Sequence, residues 1–441
     1  MTDMEDKGIK FHAFDEIDKP SLGLIKDCVH CGFCLSACPT YLQTGNELDS
    51  PRGRIYLMKS AVEGKIPMGE GLVKHLDLCL GCLACEPACP SGVRYGSLIE
   101  AARSQIERRY KRPLSERLYR SLLFSIFPYP NRLKLLLPFL YLYQASGIKR
   151  LLNNLGAFPN RLARAEEMLP EIRFSSLFSS LPSLTRAKGQ RRFRVAMLTG
   201  CVQAMLFPQT NEATVRVLAE NGCEVVIPRN QGCCGALSIH SGRLSEGRDF
   251  ARTNVDAFMK DDVDDVDAVI VNSAGCGSSM KECGELLKND PSYTELGERL
   301  GKKTRDIMEF LFDIGLRGDL KELKCRVTYQ DACHIAHGQG IRVHPRNVIK
   351  QIPGIELVEL PESDLCCGSA GIYNLIQPEM SEGLLERKIS NLKETGVDYI
   401  VAGNPGCLLQ IQKGIKQKGL KIKTAHPIEL LDWAYRGAAP R

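Results

Sequence analysis

The chain has 441 residues, enough for two or three domains with separate cores. A content of 44% hydrophobic and 25% charged residues is that of an ordinary globular protein and excludes a disordered or fibrous one. The net charge of +6 is modest, and the two denser basic stretches, residues 108–120 and 186–194, lack the regular aromatic interleaving of a single-strand nucleic-acid surface; they read as solvated faces or as surfaces for an acidic partner or lipid headgroups.

From the N-terminus, residues 1–19 are charged and lack an apolar core, so no export signal is expected. Nineteen cysteines without such a signal point to a reducing, cytoplasmic compartment and to metal binding. Eight of them form two runs: Cys28, Cys31, Cys34 and Cys38 before Pro39, and Cys79, Cys82, Cys85 and Cys89 before Pro90. Both read C-x2-C-x2-C-x3-C-P, the run that wraps a [4Fe–4S] cubane in bacterial-type ferredoxins. Three thiolates on one tight loop cap three irons, while the fourth, past a wider gap, serves the other cluster. The expected partition is Cys28, Cys31, Cys34 and Cys89 on one cluster and Cys79, Cys82, Cys85 and Cys38 on the second.

A structural zinc site is the plainer alternative, but zinc ribbons need two C-x2-C pairs separated by a knuckle, whereas here three cysteine spacings are packed into one run, twice. A disulfide framework is disfavoured by the missing export signal. Cys28 and Cys79 lie 51 positions apart, too far for the compact hairpin ferredoxin. Residues 51–63, entered at Pro51 and closed by Gly64, and residues 98–110 read as helices, so residues 1–112 are expected to form an α-helical ferredoxin domain.

Residues 113–190 are expected to be a helical connector. Segments 122–127 and 133–143 are rich in leucine and aromatics and broken by Pro128, Pro130 and Pro138. The longest apolar stretch, residues 135–142, is far below the ~20 residues of a spanning helix. The connector either packs the two domains together, the reading we favour, or rests on a membrane surface with Arg132 and Lys134 at the headgroups.

From residue 191 the chain repeats itself. Cys201, Cys233-Cys234-Gly235 and Cys276 recur as Cys333, Cys366-Cys367-Gly368 and Cys407, at offsets of 132, 133 and 131 residues. Residues 191–320 and 321–441 are therefore two related halves, expected to face each other across a pseudo-twofold axis. In each, strand-like text precedes every cysteine (residues 194–199, 224–227, 268–272, 326–329, 356–360 and 399–402), with helices at 211–220, 243–259 and 379–393. This is β-α-β text and implies a parallel sheet whose ligand site lies beyond the carboxyl ends of the strands, where the cysteines fall. The expected fold class is α+β multidomain: an α-helical ferredoxin domain followed by a duplicated α/β domain with parallel sheets.

The two-copy pattern resembles the cysteine-rich CCG domain of heterodisulfide reductase subunits and several quinone-linked dehydrogenases. With the strings at residues 29–34 (VHCGFC), 51–56 (PRGRIY) and 366–371 (CCGSAG), nearly the whole chain is similar to the family of glycolate oxidase, or glycolate dehydrogenase, iron–sulfur subunits. The full CCG motif ends in C-x2-C; here Ser279 and Gln410 stand in the last place, leaving four thiolates per half. Cys201, Cys233, Cys234 and Cys276, or Cys333, Cys366, Cys367 and Cys407, can hold one further Fe–S cluster if they converge, and otherwise are buried thiols. His334 and His337 follow Cys333 and are candidates for proton delivery; His240 reads as a hydrogen-bonding neighbour, and Cys223, Cys283 and Cys325 as structural.

No flavin or nicotinamide fingerprint is visible, so electrons must arrive from a partner's flavin. The resemblance implies FAD-binding partner subunits that oxidise glycolate to glyoxylate, with this chain passing electrons toward quinone, in the cytoplasm or peripherally on the inner membrane face. The alternatives are the equivalent subunit of a D-lactate or glycerol-3-phosphate dehydrogenase, a heterodisulfide reductase-like thiol–disulfide reductase, and a zinc-ribbon interaction module or redox sensor.

Overall fold

The computed structural model describes residues 11–146, 166–170, 172, 180–260, 263 and 265–437. The expected connector therefore lies partly outside the described residues. The chain divides into two compact units: Met1–Arg117 with Ser238–Leu244, and Leu118–Leu237 with Ser245–Arg441.

The first unit is helical, with helices at Leu22–Lys26, Pro39–Thr44, Pro51–Val62, Glu70–Asp77 and Tyr95–Arg109. Pro39 and Pro51 occupy first turns, where a missing N–H costs nothing. Ser50 caps the second of these, its hydroxyl accepting from the Gly53 N–H at 3.0 Å. Gly53 is obligatory, because a Cβ there would stand 2.0 Å from the Glu47 carbonyl. Ile55, Met58, Leu76, Leu98, Ala102 and Ile106 form the core, the last three at fourfold spacing along one helix face.

The second unit contains two sheets. The strands are β1 (Leu184–Thr185), β2 (Phe193–Met197), β3 (Cys223–Val226), β4 (Ala268–Val271), β5 (Thr304–Asp306), β6 (Cys325–Tyr329), β7 (Ile355–Val358), β8 (Tyr399–Val401) and β9 (Lys423–Ala425). The orders are β1-β3-β2-β4-β5 and β7-β6-β8-β9. All pairs are parallel except β1 with β3, so β3-β2-β4-β5 and β7-β6-β8-β9 are the same four-stranded arrangement twice. This is the duplicated parallel α/β architecture expected from the repeat. The short strands β1, β5 and β9 go beyond the six strands read from the sequence.

Strand alternation explains why the two sheets form one body. Val195, Met197, Ala268 and Ile270 point into a core shared with Val327, Tyr329, Tyr399 and Val401 of the other sheet. Ala196, Leu198, Val269 and Val271 point the opposite way, into the cluster that holds Cys201, Cys233 and Cys234; Ile400 likewise joins Cys367 and Cys407. Each sheet is thus buried on both faces, as parallel sheets require. Helices Pro208–Glu220 and Pro427–Arg436 close the shared side, with Arg216 donating to both oxygens of the buried Asp432 at 2.7 and 2.9 Å and Thr210 to Glu429 at 2.7 Å.

The helices Leu114–Ile126 and Pro130–Ala145 occupy the described start of the connector. Pro138 does not break the second one but sits inside it. Leu123 and Phe124 pack against Ile372 within the second unit.

His426 caps Pro427–Arg436 from a fully buried position: Nδ1 accepts from the Ile428 N–H at 3.2 Å, so Nε2 carries the proton and donates to the Asn272 carbonyl at 3.0 Å. Burial pushes its pKa down to about 3. Between the unfolded value near 6.5 and pH ~3 the unfolded chain binds a proton that the folded one refuses, so stability is lost as pH falls through that window, by several kcal/mol in order of magnitude. The single tryptophan, Trp433, lies in the same helix and reports its unfolding. His426→Gln should flatten the decline of urea stability between pH 6 and 4; an unchanged slope would remove His426 as its cause.

Candidate metal centres

In the first unit the two cysteine runs share one backbone form. The residues just before and after the middle cysteine are left-handed in both: His30 (φ 56°) and Gly32 (φ 88°) around Cys31, Gly81 (φ 64°) and Leu83 (φ 62°) around Cys82. Such alternation turns successive N–H groups into a concavity suited to an anionic group, a form found at many Fe–S sites. For the non-glycine residues His30 and Leu83 it costs on the order of 1 kcal/mol each or more, which marks the loops as built for a ligand.

Cys28, Cys31, Cys34, Cys85 and Cys89 line one partly open pocket together with Ile55 and Tyr95. Among the described residues no three His, Cys, Asp or Glu side chains converge to hold a single ion; a cubane's four ligands bind four different irons and need no such convergence.

Cys38, Cys79, Cys82 and Cys85 are brought within one another's electrostatic reach: burial first, then the charges of Cys82, Cys79 and Cys38, push the Cys85 thiol up. Cys38 Sγ lies 3.2 Å from Thr40 Oγ1, and Arg54 Nη2 donates to that same hydroxyl at 3.0 Å. Arg54 is 1% exposed, donates through Nε to the His75 carbonyl at 2.7 Å, and stands 3.9 Å from the buried Asp49. Burial raises the Cys79 thiol, but Arg54 and Arg103 overcome it and hold the pKa below its usual value. Arg103 donates to the Cys79 and His240 carbonyls. His240 Nδ1 lies 2.8 Å from Glu100, and burial pushes the histidine down to about 4 and the carboxyl up to about 7.

In the second unit each half gathers its four cysteines. Cys201 and Cys233 sulfurs are 3.4 Å apart, and those of Cys234 and Cys276 are 3.1 Å apart. In the other half Cys366 lies within interaction range of Cys333 and Cys367, and Cys367 of Cys407. One thiol of each half, Cys233 and Cys367, is held low by its neighbouring thiols, while Cys201, Cys234, Cys366 and Cys407 are pushed up. Ser279 and Gln410, standing where a fifth thiolate would be, are committed to structure: Ser279 donates to the Cys234 carbonyl at 2.8 Å, and Gln410 bonds Ser381 and Asn374 at 2.9 and 3.0 Å.

Cys333 opens onto a π-helical turn, His334–Gly338, a form frequent at functional sites and not foreseen from the sequence. Both ring nitrogens of His337 are engaged, Nδ1 by Arg342 at 2.9 Å and Nε2 by the Asp364 carbonyl at 3.1 Å, and burial lowers its pKa. Cys223, Cys283 and Cys325 stand outside the two quartets, and burial raises the first two to about 12 and Cys325 in the same direction. Sequence reading also missed Lys388, 1% exposed on helix Pro378–Thr395; burial lowers it to about 8, and the charges of Cys367 and Cys366 act against that.

Residues 24–93 match the family described as a 4Fe-4S dicluster domain, 115–169 the linker region of glycolate oxidase iron-sulfur subunits, and 195–281 and 327–412 the Cysteine-rich domain. The chain is 40% identical to the probable glycolate oxidase iron-sulfur subunit of Bacillus subtilis, over 98% of both chains, and 34% identical to the glycolate oxidase iron-sulfur subunit of Escherichia coli, over 93% of this chain and 94% of that one. Lactate utilization protein A of Oceanobacillus iheyensis is 31% identical over 54% of this chain and 96% of its own. Helical dicluster text, the specific linker and the duplicated cysteine-rich halves thus coincide along one chain with these full-length matches, and the chain belongs to the glycolate oxidase iron–sulfur subunit family.

Proposed function

We propose that this chain is the electron-transferring subunit of a glycolate, or other 2-hydroxy acid, dehydrogenase, accepting electrons from an FAD-bearing partner that makes glyoxylate and passing them toward quinone. The observation that supports it most is the pair of matching cysteine loops, with Cys28, Cys31, Cys34 and Cys89 on one pocket that Cys85 also lines, and Cys38, Cys79 and Cys82 all acting on Cys85. When bound there, [4Fe–4S] clusters supply one-electron carriers. The chain's own residues give the thiolates, the converging N–H groups and, through Arg54 and Arg103, the positive charge. Cys201, Cys233, Cys234 and Cys276, or Cys333, Cys366, Cys367 and Cys407, would hold a further cluster. Of the two candidate proton donors, His334 and His337, His337 would first have to leave Arg342 or Asp364. The commitment of Ser279 and Gln410 to hydrogen bonds weighs against the disulfide-reductase alternative.

The test is dependence on partners. The isolated chain should not reduce a dye with glycolate, while the complex with its flavoprotein partner should reduce a quinone analogue. Glycolate-dependent dye reduction by the isolated chain would sink the reading, and turnover of the complex with D-lactate or glycerol 3-phosphate in place of glycolate would move it to those relatives.

A peripheral membrane contact is supported by Leu118 and Leu122 on one helix and Leu135, Phe139 and Leu142 on the next, all more than half exposed, with no helix among the described residues able to cross a bilayer. Leu118→Glu with Leu122→Glu should lower co-flotation with anionic vesicles several-fold; unchanged flotation would leave these helices a packing role only.

A further inference from the structure

The two cysteine quartets are near copies, yet one buried position differs in charge. In each half the glycine after the cysteine pair touches one following helix: a Cβ on Gly235 would lie 3.2 Å from the Gly247 carbonyl, and one on Gly368 would lie 2.6 Å from the Ser381 carbonyl. A shift of 134 residues carries Gly247 onto Ser381, Leu244 onto Pro378 at the two helix starts, and the buried Phe258 onto the buried Leu392. The same shift carries Asn254 onto Lys388.

Asn254 is fully buried and spends its amide on the backbone beside its own quartet: Nδ2 donates to the Cys233 carbonyl at 2.7 Å, and Oδ1 accepts from the Gly232 N–H at 3.1 Å. The first quartet is influenced by its own thiols, burial and backbone N–H groups. Lys388 donates to the Glu362 carbonyl, and its charge acts on Cys367 and Cys366. The carboxylates in its field, Glu362 and Asp364, are already paired with Arg387 and Arg342. A buried ammonium is costly without an anion, and so is a cluster of thiolates without a cation. Each supplies what the other lacks.

We infer that Lys388 is the buried counter-charge that makes Cys333, Cys366, Cys367 and Cys407, and not the first quartet, the seat of the chain's third iron–sulfur group. This rests on the reading that the duplicated domain binds iron at all. Lys388 is a positioning residue here, acting through the thiolates, and the first quartet stays as thiols.

Anaerobic reconstitution of the full chain, followed by iron and acid-labile sulfide analysis and electron paramagnetic resonance, tests it. The native chain should hold about twelve irons, and Lys388→Met, matched in length but neutral, about eight, with both ferredoxin signals unchanged. Lys388→Arg should keep the third signal. Cys366→Ser should fall to about eight irons and Cys234→Ser stay at about twelve, a comparison that stands even if Lys388→Met fails to fold by Trp433 fluorescence. Lys388→Met with all its irons and an unaltered third signal overturns the role of Lys388; about sixteen irons, or equal losses from Cys234→Ser and Cys366→Ser, overturns the asymmetry. A native chain with about eight irons instead overturns the underlying reading that the domain carries a cluster.

Discussion

Cys38→Ala should remove about four irons and the magnetic signal associated with Cys79, Cys82 and Cys85, while the signal that depends on Cys31 survives. Cys38 is next to Cys34 in its run, yet the chain turns immediately after it. Cys38 is the N-cap of Pro39–Thr44, is 6% exposed, and contacts Thr40, which Arg54 also binds. The field of Cys38 reaches Cys85 and Arg54 as well as Cys34 of its own run. Cys89, the fourth cysteine of the other run, lines the cavity of Cys28, Cys31 and Cys34. The reciprocal Cys89→Ala should therefore damage the Cys31 group. Identical damage from Cys38→Ala and Cys31→Ala, with the Cys79 group untouched, would mean that each run closes on itself.

Arg54→Leu should cost about 3–5 kcal/mol of unfolding free energy and empty the group next to Cys38 and Cys79, because it leaves Asp49 and the thiolates without their buried cation. Arg54 ties three separated pieces of chain: Thr40 after the first run, the His75 carbonyl before the second, and Asp49, whose carboxylate also meets His75 Nδ1 at 2.7 Å. Arg54→Lys keeps the charge but not the fork, so an intermediate loss is expected. Urea unfolding together with iron content measures both effects. A change below about 0.5 kcal/mol with full iron loading would show that Arg54 is a bystander.

Much of the helical and strand layout was legible, since it rests on local signals. Pro51 marked the start of its helix, and the apolar runs before Cys201, Cys276 and Cys333 marked β2, β4 and β6. The two-residue β1 and the three-residue β5 and β9 carry too few side chains for a periodic signal and exist because an edge of each sheet has room for them. Pro138 reads as a breaker, yet the helix continues through it. The segment Ser238–Leu244 belongs to the first unit although it lies in the middle of the first repeat, where Gly242 fits only without a Cβ against the Arg103 backbone.

By itself the sequence determined which residues could be ligands and how often the pattern occurs. Cysteine spacing is a local quantity, and two or three residues between thiols leave few loop conformations; the duplication is equally plain because offsets near 132 recur at three marks. Only the tertiary structure decided what surrounds those thiols. Arg103, Asn254 and Lys388 read as ordinary helix residues, and Arg54 only as part of the string at 51–56. Their roles arise because helix phase and long-range packing carry each side chain into a low-dielectric space beside a cysteine far away in the chain, where one charge weighs many times what it does in water.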